Sequence, residues 1–276
     1  MKTILVKEFE FMGKFFLEII LNRPQLRNAF DPLMIKELTQ TFKELNNDFN
    51  FNNNKTKKKY RAVILRGAGK VFCAGADLQW MESMVKYSYD ENEKDALVLF
   101  EMFESLLNCS IPLIGIVHGA AMGGALGLLA TCDIVLAEEK TQFCFSEVKL
   151  GIAPAVISAF IKRKISGSLV DPWMISGRVF DSQFALKMGL AHEVFSGDSS
   201  QLNCNQITEL QPWLKSFVEA APQAVIETKK IVNSIAGFNW NLQKKITSQL
   251  IAQRRVSDEG QEGLNSFLKK LNPSWR

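Results

Sequence analysis

The first part of the chain contains two strand-length blocks of apolar residues. Apolar and polar residues alternate over Ile4–Phe11, and a second apolar run fills residues 15–21. The residues between them, Met12-Gly13-Lys14, are typical of a short turn. Two such runs joined by a tight turn predict an antiparallel β-hairpin at the start of the fold.

A helix is predicted to begin at Asp31-Pro32. A carboxylate at this point can accept hydrogen bonds from the free N–H groups of the first helical turn, and proline suits the first helical position. Apolar residues then recur at helical spacing and predict one buried stripe, at Met34, Leu38, Phe42 and Leu45.

Beyond residue 60 the chain repeats a unit made of a buried strand, a turn of small residues and a helix. Residues 61–67 form a continuously apolar strand, and residues 90–109 have a helical pattern. Residues 113–139 then read as strand, glycine-rich turn, helix and strand, and residues 141–165 as strand, irregular segment and helix. Successive units of this kind predict βαβ construction, with helices on the faces of a sheet.

From about residue 200 the pattern is helical only. Residues 223–235 and 257–271 form amphipathic segments. We therefore expect an α/β (α+β) core over residues 1–200 and a C-terminal helical domain over residues 201–276.

The composition and net charge are those of a globular protein and disfavour other classes. The chain has 276 residues, is 47% hydrophobic and 22% charged, and carries a net charge of +4, which is ordinary for a globular protein. Nucleic acid is therefore not an expected partner. No window reaches the roughly 20 apolar residues of a membrane span, and the N-terminal segment lacks the unbroken apolar region of a signal peptide.

The five cysteines favour a reducing compartment. They number oddly and form no CxxC pair, so we expect buried, reduced thiols in a cytoplasmic protein and no metal site. Much of the positive charge lies in residues 52–61, a basic stretch that is either a solvated loop or a segment that meets a phosphate.

Two turns of small residues are candidates for a catalytic role. Gly75-Ala76 and Gly123-Gly124 each stand where a strand leads into a helix, so their backbone N–H groups have nothing bulky in front of them. If the two turns lie side by side, their N–H groups converge on one acceptor and form an oxyanion hole for a carbonyl oxygen. The alternative is that these glycines only allow a strand and a helix to pack closely.

Glu147 is the best candidate for proton transfer. It stands among the apolar residues Phe145, Val148 and Leu150, and burial would raise its pKa toward the range useful for an acid/base group. The alternative is an exposed position at the edge of a strand. His118 and His192 are interpreted as structural residues, because no nucleophile motif stands at a matching place.

Several stretches, in this order, resemble the crotonase superfamily of enoyl-CoA hydratases and isomerases. They are "LNRPQLRNAF", "FCAGADL", "IPLIGIVHGAAMGGALGLLATCDIVLA", "FSEVKLGIAP", "ISGRVFDSQFALKMGLAHEVF", "APQAVIETKKIVN" and "DEGQEGLNSFLKKLNPSW". The resemblance covers nearly the whole chain. It implies a spiral of ββα units with a C-terminal helical domain, assembly as a homotrimer or homohexamer, and an acyl-CoA thioester as substrate. It implies no separate cofactor, since coenzyme A is part of the substrate.

The resemblance also implies roles for individual residues. The backbone N–H groups of Ala76 and Gly124 would form the oxyanion hole, and Glu147 would carry the proton. The coenzyme A site would be lined by Leu26, Arg27, Ala29, Ala74, Asp77 and Leu78. Lysines 57–59 would lie near the phosphates of the coenzyme or in solvent.

The chain departs from the hydratase pattern at Gly127. Hydratases of this superfamily carry two glutamates that hold the water, and the first of them would stand at this position. The segment "SEVKLGIAPAVIS" is nevertheless similar to hydratases of branched, carboxylated enoyl-CoAs in leucine and acyclic terpene breakdown. Lys149 either binds the substrate's own carboxylate or is a surface lysine of a strand.

Three hypotheses follow. The first is hydration of a branched enoyl-CoA such as methylglutaconyl-CoA. The second is a Δ3,Δ2-enoyl-CoA isomerase that uses Glu147 alone, and the third is a non-catalytic protein that binds coenzyme A or RNA.

Overall fold

The computed structural model describes residues 2–48, 60–197, 204–235 and 240–272. Its main sheet has six strands in the order β1-β2-β3-β4-β6-β9. Their bounds are β1 Ile4–Phe11, β2 Lys14–Leu21, β3 Val63–Gly67, β4 Leu113–Val117, β6 Ile134–Glu138 and β9 Glu193–Phe195. Strands β1 and β2 pair antiparallel with Phe11 opposite Lys14, which confirms the predicted hairpin. The other neighbours in this sheet are parallel.

A second, smaller sheet has three short strands. It consists of β5 Ala120–Met122, β7 Gln142–Cys144 and β8 Phe180–Asp181. Strand β5 pairs with β7 in parallel, and β7 pairs with β8 antiparallel. In the sequence, β5 reads as part of a glycine-rich turn. Its three small or flexible side chains give no alternation from which a strand could be predicted.

Eleven helices surround the sheets within the described residues. They are α1 Pro32–Asp48, α2 Leu78–Val85, α3 Tyr89–Leu107, α4 Gly124–Thr131, α5 Ala155–Lys164, α6 Asp171–Ser176, α7 Ser182–Lys187, α8 Leu210–Glu219, α9 Pro222–Ile235, α10 Trp240–Val256 and α11 Asp258–Leu268. The predicted start of α1 is confirmed: Asp31 Oδ1 accepts a hydrogen bond from the Met34 backbone N–H at 2.7 Å. The predicted apolar stripe of α1 is buried.

Both faces of the main sheet are covered. One apolar cluster includes α1, α3, α4 and α5, and a second includes Phe16, Ile64 and Leu136 beneath Leu214 of α8. Strands buried on both faces read as continuous apolar runs, which is why β3 and β4 show no alternation in the sequence. The fold is the mixed α/β architecture that the sequence predicts.

The C-terminal helices pack on the core. Helix α10 lies along α3 and α5, and Ile226 and Ile251 belong to the same apolar cluster as the sheet. The predicted domain boundary at residue 200 falls outside the described residues. All five cysteines are unpaired and buried. Within the described ranges, no helix combines the length and apolarity that crossing a membrane requires.

Candidate active site

The turn of residues 73–76 runs beside β5. Cys73 forms a parallel bridge with Ala121: its N–H donates to Ala120 O at 3.1 Å, and its carbonyl accepts from the Met122 N–H at 3.1 Å. A Cβ atom on Gly75 would lie 3.0 Å from Met122 O, so this approach requires a glycine. Phe30 connects the two turns: it forms a parallel bridge with Ala76, and its Cε2 lies 3.0 Å from the position of a Cβ atom on Gly124.

Ala76 and Gly124 each present a backbone N–H. Ala76 also bridges Phe30, but the hydrogen bonds of that bridge use the N–H of Phe30 and of Asp77. Gly124 is the first residue of α4, where N–H groups have no partner within the helix. Neither N–H donates a hydrogen bond within the described part of the chain. Both N–H groups are thus available and lie in turns that contact Phe30, while their convergence on one acceptor stays a prediction.

Strand β7 brings Glu147 to the same place. The Gly123 N–H donates to Cys144 O at 2.9 Å, and the chain then enters a 3₁₀ helix, Ser146–Leu150. Glu147 therefore lies on a 3₁₀ helix, not beside a strand edge as the alternative interpretation expected. Its Oε1 is 3.3 Å from the position that a Cβ atom on Gly123 would occupy. A glycine at 123, with φ of 53°, leaves this approach open.

The environment of Glu147 favours its protonated form. The residue is half-buried, but Oε2 is shielded from solvent and has no hydrogen-bond partner among the described residues. Burial raises the pKa of this carboxyl from 4.5 to about 7, against a smaller opposing effect of its own backbone N–H. A carboxyl group with this pKa can both accept and donate a proton near neutral pH.

Comparison with known proteins agrees with this geometry. The family model described as enoyl-CoA hydratase/isomerase matches residues 14–276. The chain belongs to this family.

Individual family members are similar along most of the chain. An enoyl-CoA hydratase structure from Shewanella pealeana is 34% identical with a TM-score of 0.72, covering 98% of this chain and 95% of that one. The enoyl-CoA hydratase ACTT6 of Alternaria alternata is 32% identical over 94% of this chain and 80% of its own. The mouse mitochondrial Δ(3,5)-Δ(2,4)-dienoyl-CoA isomerase is 32% identical over 69% of this chain and 58% of its own. The predicted family is confirmed.

Apolar side chains surround Gly127, where the resemblance places the first glutamate of hydratases. A Cβ atom on Gly127 would lie 2.7 Å from Phe103 Cζ and 2.7 Å from Ile157 Cγ2. Both neighbours belong to the main apolar cluster. A side chain at 127 would have to displace them, so the surroundings of this position are apolar and closely packed.

The residues predicted to line the coenzyme A site lie on two neighbouring loops. The Ala74 N–H donates to Arg27 O at 3.0 Å, and the Phe30 N–H donates to Gly75 O at 2.7 Å. Leu26, Arg27 and Leu78 are exposed, Ala74 is half-buried, and Ala29 and Asp77 are buried. The structure brings this set together beside Ala76. Their contact with coenzyme A stays a prediction.

Arg23 holds these two loops together and was not recognised in the sequence. Its guanidinium pairs with Asp77 at 2.9 Å and with Asp31 at 3.2 Å, and it donates to Ala29 O at 2.6 Å. Asp77 in turn caps α2 by accepting from the Gln79 N–H at 2.8 Å. In the sequence Arg23 stands shortly before the acidic helix cap Asp31, but Asp77 is far away along the chain, so no spacing pairs the arginine with both.

The two histidines have the structural surroundings that the sequence predicted. His118 is buried, and its Nε2 is 2.7 Å from Gly69 O. His192 Nδ1 accepts from the Val135 N–H at 3.0 Å, and burial, with a smaller effect of Lys164, lowers its pKa to about 4.

The two lysine predictions have different outcomes. Lys149 belongs to the 3₁₀ helix and not to a strand, with its aliphatic part next to the turn at Gly177. Lysines 57–59 lie outside the described residues.

Proposed function

We propose that the protein hydrates the α,β double bond of a branched enoyl-CoA, with Glu147 as its single acid/base group. The observation that carries this proposal is the carboxyl group of Glu147. Its Oε2 is shielded and has no partner among the described residues, and its Oε1 approaches the turn that also presents the Gly124 N–H. A carboxyl group buried without a partner is costly to maintain, and such groups cluster at functional sites.

The proposed reaction uses Glu147 twice. Its carboxylate takes a proton from water while the water oxygen bonds to the β-carbon, and the π electrons move through the α-carbon to the thioester oxygen. The N–H groups of Ala76 and Gly124 stabilise the enolate oxygen, each by about 3 kcal/mol. Glu147 then returns the proton to the α-carbon, so that water is added and the carboxylate is regenerated.

The preference for a branched, carboxylated substrate such as methylglutaconyl-CoA rests on the similarity of residues 146–158 to hydratases of that class. Hydratase is also the name of the relatives from Shewanella and Alternaria. We further propose that the protein works without a separate cofactor, in the cytoplasm, as a homotrimer or homohexamer.

The packing around Gly127 favours a second candidate, double-bond isomerisation. An isomerase needs only one carboxylate, which removes a proton from one carbon and returns it to another. The apolar wall formed by Phe103 and Ile157 suits this reaction, since it offers nothing to hold a water molecule. The mouse relative is named an isomerase.

Absorbance of the conjugated thioester distinguishes the two reactions. We expect it to fall when the protein is mixed with methylglutaconyl-CoA, because hydration removes the conjugation. A rise with a 3-enoyl-CoA and no fall with any 2-enoyl-CoA would instead identify an isomerase. The control is Glu147→Gln, which should lose about 10²–10⁴-fold in rate while still binding acyl-CoA. Binding without turnover by the unaltered protein would support the non-catalytic hypothesis.

A further inference from the structure

A second polar side chain lies next to Glu147. Ser146 is the first residue of the 3₁₀ helix and is half-buried. Its Oγ is 3.4 Å from the position of a Cβ atom on Gly123, and Glu147 Oε1 is 3.3 Å from the same point. Both oxygens therefore approach the turn that leads into α4, where the thioester oxygen is proposed to bind.

The hydroxyl of Ser146 is available to a ligand. No hydrogen bond of this side chain exists within the described residues, unlike Ser158 and Ser182, whose hydroxyls donate to backbone carbonyls at 2.6 and 2.5 Å. A serine hydroxyl that is not used by the backbone can donate one hydrogen bond and accept others.

Hydration with one carboxylate requires another group that orients the water. The position where hydratases carry their first glutamate is Gly127, which is enclosed by Phe103 and Ile157 and offers no polar atom. Polar side chains do approach the turn at Gly123, namely Ser146 and Glu147. Water can be held by two acceptors in this geometry, with its lone pair directed at the β-carbon.

We propose that Ser146 positions the attacking water together with Glu147. The water donates one hydrogen bond to the Glu147 carboxylate and the other to Ser146 Oγ. The proton that is transferred goes to Glu147, so Ser146 is a positioning residue and does not change its protonation state. This inference rests on the proposed hydratase function.

Two reactions of the same protein separate this role from a structural one. Hydration needs the oriented water, whereas exchange of the α-protons of a saturated acyl-CoA with D₂O needs only Glu147 and the two backbone donors. We expect Ser146→Ala to lower kcat of hydration by about 10–100-fold. Its KM and its α-proton exchange rate, followed by NMR with butyryl-CoA, should stay within about twofold of the unaltered protein.

Two further variants calibrate the experiment. Ser146→Thr retains a hydroxyl at the same position and should recover most of the hydration rate. Glu147→Gln should lose both hydration and exchange. Thermal melting of every variant checks that the fold is intact.

The outcomes distinguish the inference from the function on which it rests. Equal losses of hydration and exchange in Ser146→Ala would mean that the serine only supports Glu147, and unchanged hydration would mean that it has no role. Either result overturns the inference and leaves the hydratase function standing. An unaltered protein that isomerises 3-enoyl-CoA without hydrating any 2-enoyl-CoA would overturn both.

Discussion

The pKa of Glu147 depends both on its neighbours in the sequence and on its position in the fold. The apolar residues around it in the sequence predict a raised pKa, but the sequence does not show whether the carboxyl points into the core. The structure adds the shielding of Oε2 and the glycine at 123 that admits the side chain. The direction of the pKa shift was predictable from the residues, while the position of the carboxyl was not.

The pKa of Glu147 leads to a prediction for the rate. Water is deprotonated by the carboxylate, so the active form is lost as the pH falls through the folded-state pKa of about 7. We expect kcat/KM to be flat above that pH and to fall about tenfold per pH unit below it. Steady-state rates from pH 5.5 to 9 measure this. Acyl-CoA binding over the same range is the control, and an acidic midpoint near the ordinary glutamate value would contradict the prediction.

Among the helices and strands, the sequence predicted the ones in which apolar residues recur with a regular period. The β1–β2 hairpin, α1 and α3 have strong alternation or helical stripes, and they lie close to the predicted bounds. Strand β5 and the 3₁₀ helix at 146–150 were missed, since short elements of small or mixed residues carry no periodicity. These two elements flank the candidate site; β8, α6 and α7, which are also short, were not predicted either.

The packing of α3, α4 and α5 predicts the effect of a side chain at residue 127. We expect Gly127→Ala to destabilise the protein by about 1–3 kcal/mol, because the new methyl group clashes with Phe103 and Ile157. Phe103→Leu removes ring atoms next to residue 127, so Gly127→Ala should destabilise that variant less than it destabilises the unaltered protein. Denaturant unfolding of the unaltered protein, the two single variants and the double variant measures this difference. Additive effects would show that the clash is relieved elsewhere.

Arg23 joins the loop before α1 to the loop before α2. We expect Arg23→Ala to raise KM for acyl-CoA more than it lowers kcat, because the two loops lose their shared cation while Glu147 is untouched. Unfolding should become easier by about 1–3 kcal/mol, since Asp77 is buried beside the arginine. Lys36→Ala is the matched control, because it also removes a cation, from an exposed position on α1 that forms no ion pair among the described residues. A fall in kcat alone would contradict this role.

At the scale of the whole molecule, the sequence patterns could not show which surfaces meet other chains. Large apolar side chains remain exposed on this single chain, among them Ile175 at 77% and Val232 at 60%. Isolated exposed apolar residues are normal, so their number alone decides nothing. The expected trimer or hexamer would cover some of them.

Light scattering tests this assembly directly. We expect a mass of three or six chains for the unaltered protein, and a smaller mass for Ile175→Glu, because a charge placed in an apolar contact between chains is costly to desolvate. The fold of the single chain should not suffer, since Ile175 is largely solvent-exposed there. Met12→Glu, at an exposed position in the β1–β2 turn, is the matched control and should leave the mass unchanged. If Ile175→Glu keeps the full mass, the contact lies on another face, and the exposed residues of the C-terminal helices, Ile231 and Val232, are the next to change.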